Sequence, residues 1–425
     1  MKYNNIATQS IHSGHHTSNT QGTRAVPIYQ STAYVFENTQ HAADLFSLKE
    51  AGYIYTRLNN PTNDILEQRL AALEGGIGAA VFASGTSAIS TTLLSLLKSG
   101  DHILASSSLY GGTYNLLNVT LARFGISCTF VNADKTENFL EGIQDNTKAI
   151  FIESLGNPKL DVLDIGAIAK IANEQHIPLI VDNTVASPAL LNPIKHGAHI
   201  IIHSLSKFIG GQGTSLGGAV IDAGTFDWAA GDFPELTEAS EGYHGMVYTE
   251  TFGKAAFIAK VRLEGLRDFG GALSPFNAFQ IIQGLETLDI RMQQHSKNAL
   301  EIAAFLESKE EVAWVNYPGL SSNKYHSLAR KYLPKGQSGI LTFGLKGGFE
   351  AAKKFTDSCQ LFSLLANIGD TKSLIIHPAS TTHQQLSEEQ QKTTGVNSDL
   401  IRLSIGLEHS DDLKADIEQA LKQIQ

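Results

Sequence analysis

From Gly78 onward the chain alternates short apolar runs with helix-length amphipathic segments, and this alternation constrains the fold more than any other feature. The runs at 79–83, 102–105, 128–131, 149–152, 178–181 and 199–202 are bounded by Gly, Ser, Asn or Asp, as buried strands are. Between several of them lie segments long enough for helices, at 87–97, 113–124 and 165–176. Such β-α alternation predicts an α/β fold with a mostly parallel sheet covered on both faces. Ligands of these sheets gather at the carboxyl ends of the strands, so the residues at strand ends are where chemistry is sought.

The flanking regions read differently. The first sixty residues show no strong period; 21–36 and 53–60 read as an extended arm and loop of the kind that wraps a neighbour. At Asn60-Pro61 a helix is expected to begin, with Asn60 as N-cap, Pro61 at the first helical position and Leu66, Leu70 and Leu73 on one face, stopped by Gly75-Gly76. After Gly218 the pattern loosens, and 222–246, rich in Gly, aromatic and acidic residues, reads as an inserted loop region. A helical run at 276–300 then leads into an α+β part that closes with a helix at 411–425. The expected plan is an arm (1–60), a large domain (61–270) and a C-terminal domain (271–425).

Composition removes several function classes. With 32 Lys+Arg against 42 Asp+Glu the net charge is −10, and no block of five basic residues occurs, so nucleic acid is not expected as a partner. Charged residues are only 17% of the 425, against about a quarter in ordinary soluble domains, which points to much hidden surface. Two cysteines, Cys128 and Cys359, build neither a disulfide scaffold nor a Cys-rich zinc site, and a reducing, cytoplasmic setting is expected. Cys128, in an apolar run, reads as packing. The polar first sixteen residues lack the apolar core of a secretory signal. The uncharged stretch 75–97 is long enough to span a bilayer, but four glycines and seven Ser or Thr argue against a membrane span. His12, His15 and His16 lack a zinc-type helix motif and read as a solvated arm, so no metal is expected.

Three strand ends carry residues of chemical interest. The first apolar run enters Ser84-Gly85-Thr86-Ser87, a small-residue turn opening a helix, whose free N–H groups would cradle a phosphate; an ordinary turn with Ser as N-cap is the alternative. Asp182 ends the run Pro178-Leu-Ile-Val, where an acid is costly unless it meets a cation or caps a helix. One strand later comes His203-Ser204-Leu205-Ser206-Lys207-Phe208. A lysine desolvated there becomes a nucleophilic amine; an exposed loop lysine is the rival. Together, cradle, acid and lysine meet the needs of pyridoxal 5′-phosphate: an anchor for its phosphate, an amine for its aldehyde and a carboxylate for its ring nitrogen.

On these residues the chain resembles the Cys/Met-metabolism family of pyridoxal-phosphate enzymes, of the aspartate-aminotransferase-like fold type I, over essentially its whole length. The resemblance implies a large domain with a mostly parallel sheet and a smaller α+β C-terminal domain. Tyr53-Ile-Tyr55-Thr-Arg57 looks like the family's arm, whose tyrosine and arginine reach the cofactor phosphate of a neighbouring subunit. Ser84-Gly85-Thr86 matches the cradle, with Thr86 where many relatives have Met or Gln. Tyr110, in Leu109-Tyr110-Gly111-Gly112, matches the tyrosine that stacks on the pyridine ring and assists proton transfer. Glu153-Ser-Leu-Gly-Asn157-Pro158 is similar to the segment whose asparagine lies beside the ring. Ser204 and Ser206-Lys207 match the phosphate-binding hydroxyls and the cofactor lysine, with Ser206 in place of Thr. The segments Asn367-Ile-Gly-Asp370-Thr-Lys-Ser373, His377-Pro-Ala-Ser-Thr-Thr-His383 and Ile401-Arg402-Leu-Ser404 match its substrate side. There Arg402 corresponds to the arginine that binds the α-carboxylate bidentately, and Ser373 is expected to help it.

Within the family, the length, the insertion at 226–257 and the 367–378 run resemble the O-acetylhomoserine sulfhydrylase branch. Gly112 lies where methionine γ-lyases usually carry cysteine. The resemblance implies γ-replacement on O-acetyl-L-homoserine by sulfide, giving L-homocysteine and acetate in methionine biosynthesis, with Lys207 moving the protons, Tyr110 assisting and Asp182 serving the ring nitrogen. Cystathionine γ-synthase, O-succinylhomoserine sulfhydrylase and γ-lyase activities are the alternatives. It also implies a homotetramer built from dimers with shared active sites.

Overall fold

A computed structural model describes residues 3–382, 384 and 395–424. Its larger sheet has seven strands: β1 (Gly78–Phe82), β2 (His102–Ser106), β3 (Ser127–Val131), β4 (Thr147–Glu153), β5 (Leu179–Asp182), β6 (Ile200–Ser204) and β7 (Gly218–Asp222), in the order β1-β7-β6-β5-β4-β2-β3. Pairing is parallel from β6 across to β3, while β7 runs antiparallel to both β1 and β6. The six expected strands are present within two residues of their expected bounds.

Strand alternation sorts these apolar runs onto two faces. Ile150, Ile152, Leu179, Val181 and Ile201 pack into one core, and Ala149, Phe151, Ile180, Ile200 and Ile202 into the other. A sheet buried on both sides requires continuous apolar runs, and each Ile, Leu or Val so buried contributes about 1.5–3 kcal/mol. Only the strand ends are then free to carry polar groups.

β7 was not expected as a strand. It returns antiparallel after a loop from β6, and such a strand needs no helical crossover to announce it. The segment read as an inserted loop is also more ordered than its composition suggested. Trp228, Phe233, Leu236, Tyr248 and Phe257 are buried, with Trp228 stacked on Phe257 at 5.5 Å, so its aromatic residues seal one face of the sheet.

The helix Pro61–Glu74 forms as its ends dictate: the Asn60 side chain accepts the Thr62 N–H at 2.9 Å, and Gly75 takes the left-handed conformation with φ 79°. Two short helices, Ile6–His12 and Thr39–Phe46, interrupt a region that showed no period; the only buried residues in them are Ser10 and Leu45, so neither imposes a wide apolar stripe. His12 packs against Tyr3 and His15 contacts the Thr20 hydroxyl at 3.2 Å.

The long run expected at 276–300 is two helices, Pro275–Glu286 and Leu288–Glu307. Arg291 donates to the Gly284 carbonyl at 2.7 Å and to the Thr287 hydroxyl at 3.1 Å, occupying acceptors at the break. Residues up to Met292 join a core of the large sheet, whereas Ala299, Ile302 and Leu306 pack under a second sheet. That sheet comprises β8 (Val312–Asn316), β9 (Ile340–Leu345), β10 (Ser363–Leu364), β11 (Leu374–Ile376) and β12 (Leu400–Ser404), in the order β10-β11-β12-β9-β8 and antiparallel except between β10 and β11. The helices Gly348–Ser358 and Ser410–Ile424 cover it. Among the described residues no helix is long and apolar enough to cross a membrane.

Candidate active site

The carboxyl ends of β4, β5 and β6 bring Glu153, Asp182 and Ser204 to one sheet edge, opposite the start of the helix Gly85–Leu96. A cavity of about 270 Å³ opens there. Ser84, Gly85 and Thr86 line it, with Asp182, Ser204, Ser206 and Lys207, and with Tyr110, Asn157 and Arg402. β12 supplies Arg402, so the second sheet closes the site that the first sheet opens.

Ser84 caps the helix by accepting the Ser87 N–H at 3.1 Å. The N–H groups of Gly85 and Thr86 lie in the first turn, where no intrahelical acceptor exists, at the positive end of the helix dipole. Close packing sets this position. A Cβ on Gly85 would stand 2.8 Å from the Ser204 Cβ, and one on Gly218 would stand 2.1 Å from the Ser84 carbonyl oxygen. Glycine at both places lets the helix start abut the ends of β6 and β7. The Ser206 hydroxyl exchanges hydrogen bonds with the Gly217 backbone, accepting at 3.0 Å and donating at 3.3 Å.

Asp182 accepts the Thr184 N–H at 2.9 Å. Burial raises its pKa, and the hydrogen bonds from Thr184 oppose that rise. Thr184 is itself held, because its hydroxyl accepts the Ser204 N–H at 2.7 Å. Glu153, beside Asp182 in the strand register, accepts the Tyr110 N–H at 2.6 Å. Burial, and then the charge of Asp182, holds its carboxyl well above the usual carboxylate range.

On the basic side, the Lys207 Nζ donates to Asn367 Oδ1 at 2.5 Å. Burial first and the Arg402 charge second lower its pKa. Arg402 donates to Asn157 Oδ1 at 3.0 Å and to the Asn367 carbonyl at 3.2 Å, and burial brings it down to about 10. Neither cation has a carboxylate within ion-pair distance, and neither acid has a cation, among the described residues. Unpaired buried charges are costly; a ligand that brings its own anion and its own protonated nitrogen relieves them. The donor set therefore fits a phosphate at the helix start, an aldehyde at Lys207 and a ring nitrogen at Asp182.

Tyr110 leaves its ring 55% exposed over Gly112, where a Cβ would come within 2.5 Å of the ring. Three expected residues lie elsewhere. Tyr55 is 42% exposed under the Arg57 guanidinium, 5.4 Å from its ring centre, and Arg57 donates to the Arg267 carbonyl; neither lines this cavity. The Ser373 hydroxyl is fully buried, donating to Glu408 at 2.8 Å and accepting the Gly406 N–H at 2.8 Å. Its side chain braces the exit of β12 rather than lining the cavity, because both capacities of its hydroxyl are used. His383 lies outside the described residues.

Glu153, Thr184 and Asn367 line the cavity but were not singled out from the sequence. Glu153 carried the same signal as Asp182, an acid ending an apolar strand. Asn367 opened a segment matched to the family's substrate side, without a role of its own; Thr184 carried no signal, because its neighbours are set by tertiary packing.

The family model for the Cys/Met metabolism PLP-dependent enzymes matches residues 7–422. The chain belongs to this family. A member from Leptospira meyeri, an O-acetyl-L-homoserine sulfhydrylase, is 54% identical over 98% of this chain and 96% of its own. The homocysteine synthase of Schizosaccharomyces pombe is 49% identical over 98% and 97%. Among solved structures, an O-acetylhomoserine (thiol)-lyase of Campylobacter jejuni, carrying a pyridoxyl-lysine monophosphate, superposes with a TM-score of 0.95 at 46% identity, covering 98% of this chain and 100% of that one. MetB of Corynebacterium glutamicum superposes at 0.86 with 36% identity, covering 99% of each. This family member is a fold type I enzyme, and its cofactor is pyridoxal phosphate.

Proposed function

We propose that this enzyme replaces the acetate of O-acetyl-L-homoserine by sulfide: the Cγ–O bond breaks, a Cγ–S bond forms, and L-homocysteine and acetate leave, a step of methionine biosynthesis. The observation that carries the reading is the bridging of Lys207 and Arg402 by Asn367, whose side chain receives the amine and whose carbonyl receives the guanidinium. An amino acid held by its carboxylate on Arg402 presents its Cα and Cβ to an amine fixed beside it. Bound pyridoxal phosphate supplies the electron sink that acidifies those carbons.

The protein's own groups divide the remaining work. Lys207 Nζ, with a lowered proton affinity, takes and returns protons at Cα and Cβ. Tyr110, at the cavity wall, would cover the ring and assist those transfers. Asp182, whose charge the hydrogen bonds from Thr184 favour against burial, would hold the ring nitrogen, with Asn157 beside the ring. The helix start at Ser84, Gly85 and Thr86, with Ser204 and Ser206, receives the phosphate. Among the described lining residues, Lys207 and Arg402 are the only Lys or Arg. With both engaged, none remains for the second carboxylate of a succinyl group, so the uncharged acetyl ester is the better fit.

Tyr55 and Arg57 complete the phosphate site of a second copy in a homotetramer of dimers. Their separation from their own chain's cavity and the neutral partners of Arg57 support that reading. Both cysteines are free, in keeping with a cytoplasmic enzyme. The test is a product assay with O-acetyl- or O-succinylhomoserine, each with sulfide or cysteine. Homocysteine and acetate are expected with the acetyl ester and sulfide. Cystathionine as main product, turnover only of the succinyl ester, or ammonia and a 2-oxo acid without sulfide would each overturn it.

A further inference from the structure

Glu153 is 4% exposed and lines the cavity, yet the mechanism above gives it nothing to do. Its surroundings are unusually fixed. The next residue, Ser154, donates its N–H to the Asp182 carbonyl at 3.0 Å and its hydroxyl to Asn183 Oδ1 at 2.8 Å, so the end of β4 is pinned to the end of β5. From that anchor the Glu153 carboxyl accepts the Tyr110 N–H at 2.6 Å, short for a bond of this type, and faces the N–H of Asn157. Tyr110 opens the helix Gly111–Asn115 without a side-chain cap, and Glu153 fixes that turn through the N–H of Tyr110 instead. Asn157 in turn accepts from Arg402 at 3.0 Å.

We propose that Glu153 is a positioning residue: its carboxyl ties the turn carrying Tyr110 to the turn carrying Asn157, and so sets the ring above the cofactor and the guanidinium that receives the substrate carboxylate. The inference rests on the reading of the site given above. Neighbouring charge decides the form in which it acts. Asp182 and Asp161 are both acidic and both disfavour an anion at Glu153, and two adjacent carboxylates do not both ionise cheaply. Asp182 has Thr184 to hold its charge; Glu153 has its acidic neighbours against it. Burial and those acidic neighbours favour the neutral form of Glu153 against the two N–H donors it accepts from, and a neutral acceptor is a role that an amide fills equally well.

The test compares holoenzyme of the wild type, Glu153→Gln and Glu153→Ala by steady-state kinetics and by visible circular dichroism of the bound cofactor, which reports the asymmetry imposed by Tyr110. Glu153→Gln, which keeps the hydrogen bonds, is expected to stay within about 3-fold of wild-type kcat/KM with an unaltered dichroic band. Glu153→Ala is expected to lose about 10²-fold in kcat/KM, chiefly through KM for the amino acid, with a weakened band at equal cofactor content. If the alanine variant does not accumulate, Glu153→Ser, too short to reach both turns, takes its place with the same expectations. Three results would overturn the proposal: Glu153→Gln as impaired as Glu153→Ala, Glu153→Ala equal to wild type, or a loss confined to kcat with the band unchanged. Failure of the proposed function is separate, since it shows in the wild-type products.

Discussion

At the scale of single residues, the site is an economy of neutral partners around charged groups. Arg402 is half-buried, yet what it touches are the Asn157 amide and the Asn367 carbonyl. Its charge thus stays available to a substrate carboxylate, and its planar fork is held by two fixed acceptors. A lysine there has one point charge on a flexible stem and cannot reproduce that geometry. Arg402→Lys is therefore expected to raise KM for O-acetylhomoserine and lower kcat/KM by roughly 10²-fold, with cofactor content unchanged. Steady-state kinetics check this, and an unchanged KM would count against the role of Arg402. What the sequence made legible at this scale was Asp182 and Lys207 at the ends of apolar runs, because a charged residue in such a place is conspicuous against its neighbours; Glu153 carried the same signal and was missed. Asn367 was not legible in this way: it sits in a loop, and its meeting with Lys207 joins residues 160 positions apart.

At the scale of elements, the parallel strands could be read because burial on both faces writes itself as unbroken Ile, Leu and Val. β7 has the same composition, Gly-Ala-Val-Ile-Asp, and was passed over because a loop rather than a helix precedes it. Its last residue has a measurable consequence. Asp222 is 2% exposed, accepts the Gly224 N–H at 2.8 Å and has no ion-pair partner among the described residues. Burial raises its pKa from 3.8 to about 7. The native acid keeps its proton to near neutrality, whereas the unfolded chain releases it near 3.8. Its stabilising contribution is thus complete below the unfolded value and is lost as pH rises through the folded one. Between those values the native state is expected to lose up to about 1.4 kcal/mol per pH unit on account of this group. Asp222→Asn removes that dependence, so urea unfolding from pH 5 to 8 is expected to show a shallower decline in the variant than in the wild type. Equal slopes would show that Asp222 is ionised in the folded protein.

At the scale of the whole molecule, the two sheets divide the site between them. The large sheet supplies Asp182 and Lys207, the small sheet supplies Arg402, and Tyr55 and Arg57 sit on a segment that does not reach the cavity of its own chain. That last separation could not be derived from spacing, since sequence distance does not say which copy a residue serves. The low charged fraction, which first signalled hidden surface, agrees with an arm covered by a neighbour. If the sites are shared, a Lys207→Ala chain and an Arg57→Ala chain carry lesions in different sites of a mixed dimer. One site then receives both lesions and the other receives neither. Random reassociation of equal amounts makes half of the dimers mixed, each with one intact site of two, so activity is expected to recover to about a quarter of the wild-type value, although each variant alone is inactive or nearly so. Co-refolding or co-expression of the two variants, followed by the homocysteine assay, measures this directly. Sites confined to single chains predict the opposite, because every site in the mixture would keep the lesion of its own chain and no activity beyond the mean of the two parents would return.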